Sequence, residues 1–411
     1  MSKITSILYL IVFISIQSTL KSQSVLSSLD KPFKEIEMPF ERFGNYIILK
    51  VKLENSEPLR FIFDTGAEYT ILSKKKTAEK LHLKNYKDIN IFGSDVHTPV
   101  SAFIARKVNM NIMGLETKRD IIVLNEDIFQ FDKFIGLNVD GILGINIFRN
   151  YVVRIDFIRK MLTVTVPEVF EANQLVDYDS FRIEIYKSKP YINALIKVGA
   201  DTAVNLRLLL DTGAGVPLLL YAHTVPGLSP PRKNFVCSIG SGMGGALKGC
   251  VGRIQSLQFG NITIKQPVSY FQELEDKKDS SALVDRSGIM GNEILSRFKV
   301  VIDFTRNKFY LKKEDLFKDD FIYDRSGIDF IAGGEDLNRF IINNVTPNSP
   351  ASEAGLKEHD EIIKIGWVNS EALTCQEITR RLQSRVGETV SLTVKRGENY
   401  LRYKIKLRDL L

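Results

Sequence analysis

The chain has 411 residues, 44% of them hydrophobic, which is enough for two or three globular domains with cores of their own. Its net charge of +7 is spread along the sequence, and no block of Lys and Arg is interleaved with aromatics, so a nucleic-acid partner is not expected. Three cysteines and four dispersed histidines match neither a disulfide scaffold nor a metal site, and no metal or cofactor is expected.

Residues 1–24 read as an export signal: Lys3 supplies the positive start, Ile7 to Ile16 is almost wholly apolar, and Ser18 to Ser24 offers a cleavage zone. The apolar core is short for a membrane span. The mature chain is therefore expected to be exported (periplasmic or secreted), monomeric and without a transmembrane segment, with membrane association only if the signal is retained.

A first region, residues 30–168, is rich in strand patterns. Ile47, Leu49, Val51 and Leu53 alternate through Tyr46 to Leu53, and Leu59 to Phe63 leads into the turn Asp64-Thr65-Gly66-Ala67. Ser73 to Leu83 is the one helical stretch predicted early in this region, and Ile121 to Leu124 and Tyr151 to Phe157 read as further strands. A second region, residues 169–318, repeats the scheme, with Tyr191 to Val198 as a strand and Leu206 to Leu210 leading into Asp211-Thr212-Gly213-Ala214. The boundary falls in the acidic, weakly patterned stretch from Glu168 to Asp179.

The two Asp-Thr-Gly-Ala turns lie 147 residues apart, and the same offset takes Gly93 to Gly240, Gly141 to Gly288, Gly144 to Gly291 and Ile155-Asp156-Phe157 to Ile302-Asp303-Phe304. One offset held across separate motifs marks an internal duplication. Two homologous lobes, each delivering an Asp on a tight turn, predict one site at a pseudo-twofold axis. Like charges meeting there drive one pKa up, so the pair holds a single proton. One carboxylate then activates a water while the other hydrogen-bonds a carbonyl, which is general acid–base hydrolysis of an amide.

These residues resemble the aspartic proteases, and the Ala after Asp-Thr-Gly is similar to the retroviral branch and its bacterial relatives. The resemblance covers roughly residues 34–313 and implies a mainly β fold of two homologous, closed barrel-like lobes. It implies Asp64 and Asp211 as the catalytic pair, Thr65 and Thr212 bonding across the lobe interface, and Gly66 and Gly213 keeping the turns close to the carboxylates. It also places hairpin flaps at Gly93 in one lobe and at Gly240, Gly242, Gly244 and Gly245 in the other. Gly240 to Gly245 matches G-x-G-x-x-G, but no helical period follows, and a dinucleotide site is rejected. Two departures stand out: where the family usually has Ser or Asp after the Ala, this chain has Glu68 and Gly215. They leave open an alternative, a peptide-binding protein with weak or no turnover on the same fold.

Cys237 and Cys250 flank the Gly-rich tip symmetrically, so a hairpin turning there would oppose them across its strands. Either a disulfide or two thiols fits that geometry.

Residues 322–411 form a third region. Asn348 to Ile363 resembles the PDZ signature of exported bacterial proteases, which implies a small α+β domain with Thr374 to Arg385 as the helix beside a peptide groove. The resemblance puts Gly327-Ile328-Asp329-Phe330 at the carboxylate-binding loop, for the C-terminus of a peptide ligand taken by strand addition. Both Asp turns and both hairpins precede residue 318, so this reads as an accessory domain on an aspartic endopeptidase acting on peptide or protein substrates.

Overall fold

The computed structural model describes residues 33–92, 99–126, 131–199, 203–242, 245–273 and 286–411. The export signal and Gly93 and Gly244 of the hairpin tips lie outside these residues.

In lobe 1 the alternation in Tyr46–Leu53 forms a strand paired with Leu59–Asp64, and Leu59–Asp64 runs parallel to Gly141–Gly144, with Asp64 opposite Gly144. In lobe 2, Lys189–Lys197 pairs with Ala203–Asp211, and that strand runs parallel to Gly288–Gly291, with Asp211 opposite Gly291. Each Asp thus leaves the end of a buried strand beside the second motif of its own repeat. Lobe 1 closes on itself when Val51 pairs with Ile112. The equivalent strand of lobe 2 is interrupted at Ile254 and Gln255, so its closure is shared between Gly245–Arg253 and Ser256–Phe259.

The lobes are joined by a six-stranded sheet to which both contribute. Its order is Glu35–Pro39, Met161–Thr165, Val152–Asp156, Phe298–Asp303, Lys308–Lys313 and Asp179–Arg182. The repeated Ile-Asp-Phe segments supply its two central strands, with Val153 opposite Ile302. One hydrophobic cluster runs through both lobes and includes Phe61, Leu143, Leu210 and Met290.

The C-terminal domain has its own sheet, Ile328–Gly333, Arg339–Val345, Glu361–Ile365, Thr389–Arg396 and Asn399–Lys406, with Val368–Asn369 on its edge. The helix Cys375–Leu382 starts in a capping box between Thr374 and Glu377 and buries Ile378 and Leu382. Among the described residues no helix is long and apolar enough to cross a membrane.

Candidate active site

Asp64 and Asp211 meet where the lobes touch. Thr65 N–H donates to Thr212 Oγ1 at 3.0 Å and Thr212 N–H donates to Thr65 Oγ1 at 3.0 Å. The two hydroxyls then donate onward, Thr65 to the Leu210 carbonyl at 2.6 Å and Thr212 to the Phe63 carbonyl at 2.8 Å. Both threonines are buried, so all four bonds are shielded from water and strengthen one another. A Cβ on Gly66 would overlap the Asp211 carboxyl, and one on Gly213 would overlap that of Asp64. Each glycine therefore lies against the carboxylate of the opposite lobe.

Asp64 Oδ1 accepts from the Gly66 and Ala67 amides at 2.6 and 3.0 Å, and Asp211 Oδ1 accepts from Gly213 at 2.8 Å. Burial and the neighbouring Asp211 push the Asp64 pKa well above the usual carboxylate range. Burial raises Asp211 too, but Asp64 as a hydrogen-bond partner, Arg286, the Gly213 amide and Lys189 all oppose the rise. The two carboxyls titrate as a coupled pair, each held above the usual carboxylate range by burial.

Several residues at this centre carried no motif. Asn292, fully buried, donates from Nδ2 to the Thr212 carbonyl at 2.6 Å and props the second turn. Asn45 Nδ2 donates to the Gly215 carbonyl at 2.7 Å. The Tyr46 ring stands where a side chain at 215 would go, since a Cβ there would come within 2.8 Å of its hydroxyl. Burial pushes the Tyr46 phenol up to about 12, with Asp211 and Asp64 adding to the rise. The two departures noted in sequence thus face residues of the opposite lobe: Gly215 makes room for Tyr46, and Glu68 lies within electrostatic reach of Lys189.

The lobe 2 hairpin, Asn234–Gly242 with Gly245–Arg253, turns at the predicted glycines, Gly240 and Gly242 pairing with Leu247 and Gly245. The expected opposition of Cys237 and Cys250 does not occur. A bulge at Ile239 inserts one residue below the tip, so Cys237 is opposite Gly249 and Cys250 opposite Val236. Cys250 is a free thiol.

In the C-terminal domain the loop Gly327 to Phe330 is bonded within its own chain. Gly327 N–H donates to the Asp324 carboxylate, Ile328 N–H to Ser326 Oγ at 3.0 Å, and Asn343 Nδ2 to Asp329 Oδ2 at 2.9 Å. The Phe330 amide serves Asp329 itself. Three of the four loop residues, Gly327, Ile328 and Phe330, therefore have their amides committed to their own chain, and the fourth, Asp329, brings a carboxylate.

A short lobe 1 helix, Phe131–Ile135, packs on the groove strand Ile328–Gly333 and on the hairpin strand Asn234–Gly242. Gly136, just after it, presses on Cys375 and Ala332. Phe131 at its other end meets Tyr46 edge to face, ring centroids 5.2 Å apart. The flank of the dyad is thus connected to the C-terminal domain by side chains in contact.

Phe134 divides the remaining space between a cavity of about 590 Å3, lined by Arg42, Tyr46, Arg297 and Thr379, and one of about 270 Å3, lined by Ile239, Ile328 and Asp329. Glu293 lines both cavities. Burial raises its pKa from 4.5 to about 7, against the pull of Arg297 and Arg253. Below pH 4.5 the carboxyl is protonated whether the chain is folded or not; between 4.5 and about 7 only the folded chain keeps the proton, so stability falls as pH rises through that window. Glu293→Gln is expected to remove this component, and melting curves at the two ends of the window check it. A wild-type minus variant difference that does not change with pH would contradict the assignment.

A bilobed, mainly β chain with one Asp from each lobe at its centre, followed by a PDZ domain, is the class this architecture defines. Residues 49–147 match the family model for aspartyl proteases, and residues 341–396 match that for PDZ domains. Among solved structures, an aspartic proteinase from Irpex lacteus is similar over 69% of this chain and 98% of its own, at 13% identity and a TM-score of 0.41. A photosystem II D1 C-terminal processing protease is similar over 21% of this chain at 16% identity and a TM-score of 0.20, and this chain spans 23% of its length. No curated protein matches.

Proposed function

We propose that the protein is an aspartic endopeptidase. The observation that carries this reading is the reciprocal Thr65–Thr212 bonding, which holds two buried carboxylates against each other across the lobe interface. In the proposed cycle Asp211, ionised, takes a proton from the attacking water, while Asp64, protonated, donates to the scissile carbonyl and stabilises the charge developing on its oxygen. The proton then passes to the leaving amine, and no covalent intermediate forms. The lobe 2 hairpin covers the substrate. The reading without turnover rested on Glu68, Gly215 and the glycine-poor first hairpin; Gly215 makes room for Tyr46 across the interface, and Glu68 lies within electrostatic reach of Lys189.

In this proposal the chain is exported, its first 24 residues being a signal. The PDZ domain binds an external peptide only by displacing the Phe131–Ile135 helix from its groove strand. Incubating the mature chain with a mixed peptide library, with and without a statine-type inhibitor, tests the activity. Internal cleavage abolished by the inhibitor is expected; a library left intact would refute it.

A further inference from the structure

The lobes place different pockets beside the dyad. In lobe 1 Ile71 pairs with Ile142, and the cluster around them is aliphatic: Val100, Ala102 and Leu124, with Ile89 and Ile91 from the hairpin strand. In lobe 2 Leu219 pairs with Ile289 and Ile239 comes from the hairpin, but Tyr191 and Tyr221 complete the cluster and Tyr270 packs against it. Arg286 enters from the chain just before the strand Gly288–Gly291, its guanidinium 5.5 Å over the Tyr221 ring. At the repeat offset lobe 1 has Val139, buried among apolar residues.

Tyr221 is fully buried, and its hydroxyl meets no carboxylate or carbonyl in good hydrogen-bond geometry; the polar side chain that engages it is Arg286. Arg286 Nε is likewise buried and unpartnered. Polar groups left this way are uncommon in folded interiors and call for an explanation. Nearby Arg207 shows the contrast: its guanidinium lies 3.9 Å over the Tyr191 ring, and Glu184 holds it at 3.0 and 2.7 Å. Among the described residues no carboxylate forms an ion pair with Arg286; Asp211 acts on it through space. A buried N–H donor and a buried O–H donor, side by side and within electrostatic reach of Asp211, have no anionic acceptor of their own among the described residues.

We propose that Arg286 and Tyr221 form a specificity pocket in lobe 2 that takes the carboxylate side chain of an Asp or Glu in the substrate peptide, close to the scissile bond. The inference rests on the endopeptidase reading of the dyad. A pocket built to hydrogen-bond a charged group discriminates against the neutral isostere, because binding the latter leaves the donors poorly paired.

The test uses the full chain and matched short peptides that carry Glu or Gln at each position around the cleaved bond. The expected result is a preference for Glu at one position of about ten- to a hundredfold in kcat/KM, the size of a hydrogen bond to a charged group. Arg286→Leu should abolish it and Arg286→Lys should keep part of it. No Glu preference in the wild-type chain, or one unchanged in Arg286→Leu, overturns the proposal. If Arg286→Leu does not fold, Arg286→Gln and Arg286→Lys decide between the same outcomes. If no peptide is cleaved at all, the endopeptidase reading fails by itself. The pocket is then judged by calorimetric binding of the Glu and Gln peptides to the full chain: tighter Glu binding that needs Arg286 supports it, and equal binding overturns it.

Discussion

Asp64→Asn and Asp211→Asn, made separately, are each expected to lower kcat by on the order of 10² to 10⁴ while the chain stays folded. The fold should survive because Asn keeps the Oδ1 that accepts from Gly66 and Ala67 at one turn and from Gly213 at the other. It also keeps the volume against which the opposite glycine is fitted. What Asn cannot do is share a proton. At position 211 it cannot take one from water, and at position 64 it cannot give one to the scissile carbonyl. The measurement is turnover of a cleaved peptide alongside a melting curve. Near-normal turnover in either variant would break the assignment of one shared site to two lobes.

Deleting residues 324–411 is expected to lower the melting temperature by roughly 5 to 10 °C, as loss of a few kcal/mol of apolar burial would. It should also slow cleavage of short peptides on the order of tenfold. The sequence marked these residues as an accessory domain, and the structure gives the reason to expect an effect on short substrates too. Phe131–Ile135 rests on the strand Ile328–Gly333, and Phe131 in turn buttresses Tyr46, which fills the space beside Gly215. Activity on short peptides equal to that of the full chain, with an unchanged melting temperature, would show that these contacts carry no load.

The parts of the molecule legible in the sequence are those whose causes are local or repeated. Alternation marked Tyr46–Leu53 because one face of that strand is core, and the 147-residue offset found both Asp turns and the strands beside them. The helix Phe131–Ile135 was missed because five residues carry no readable period, and its reason for forming lies some 200 residues away, on Ala332 and Cys375. Gly215 was visible only as an oddity; its explanation, Tyr46, belongs to the other lobe. The cysteine pairing failed on one residue, since a bulge at Ile239 cannot be seen in a pattern of glycines. Arg286 could have been found: the offset that aligns the lobes sets it against Val139, a mismatch of charge with aliphatic bulk.

That mismatch has a directional consequence. Two identical lobes would present a peptide with the same walls from either end, and the peptide could lie across the carboxylates forwards or backwards. Fusing the lobes into one chain let one flank remain aliphatic while the other took on phenols and a guanidinium. A bound peptide then has only one heading that suits both flanks, and the same heading always brings the same face of its amide bond to Asp211.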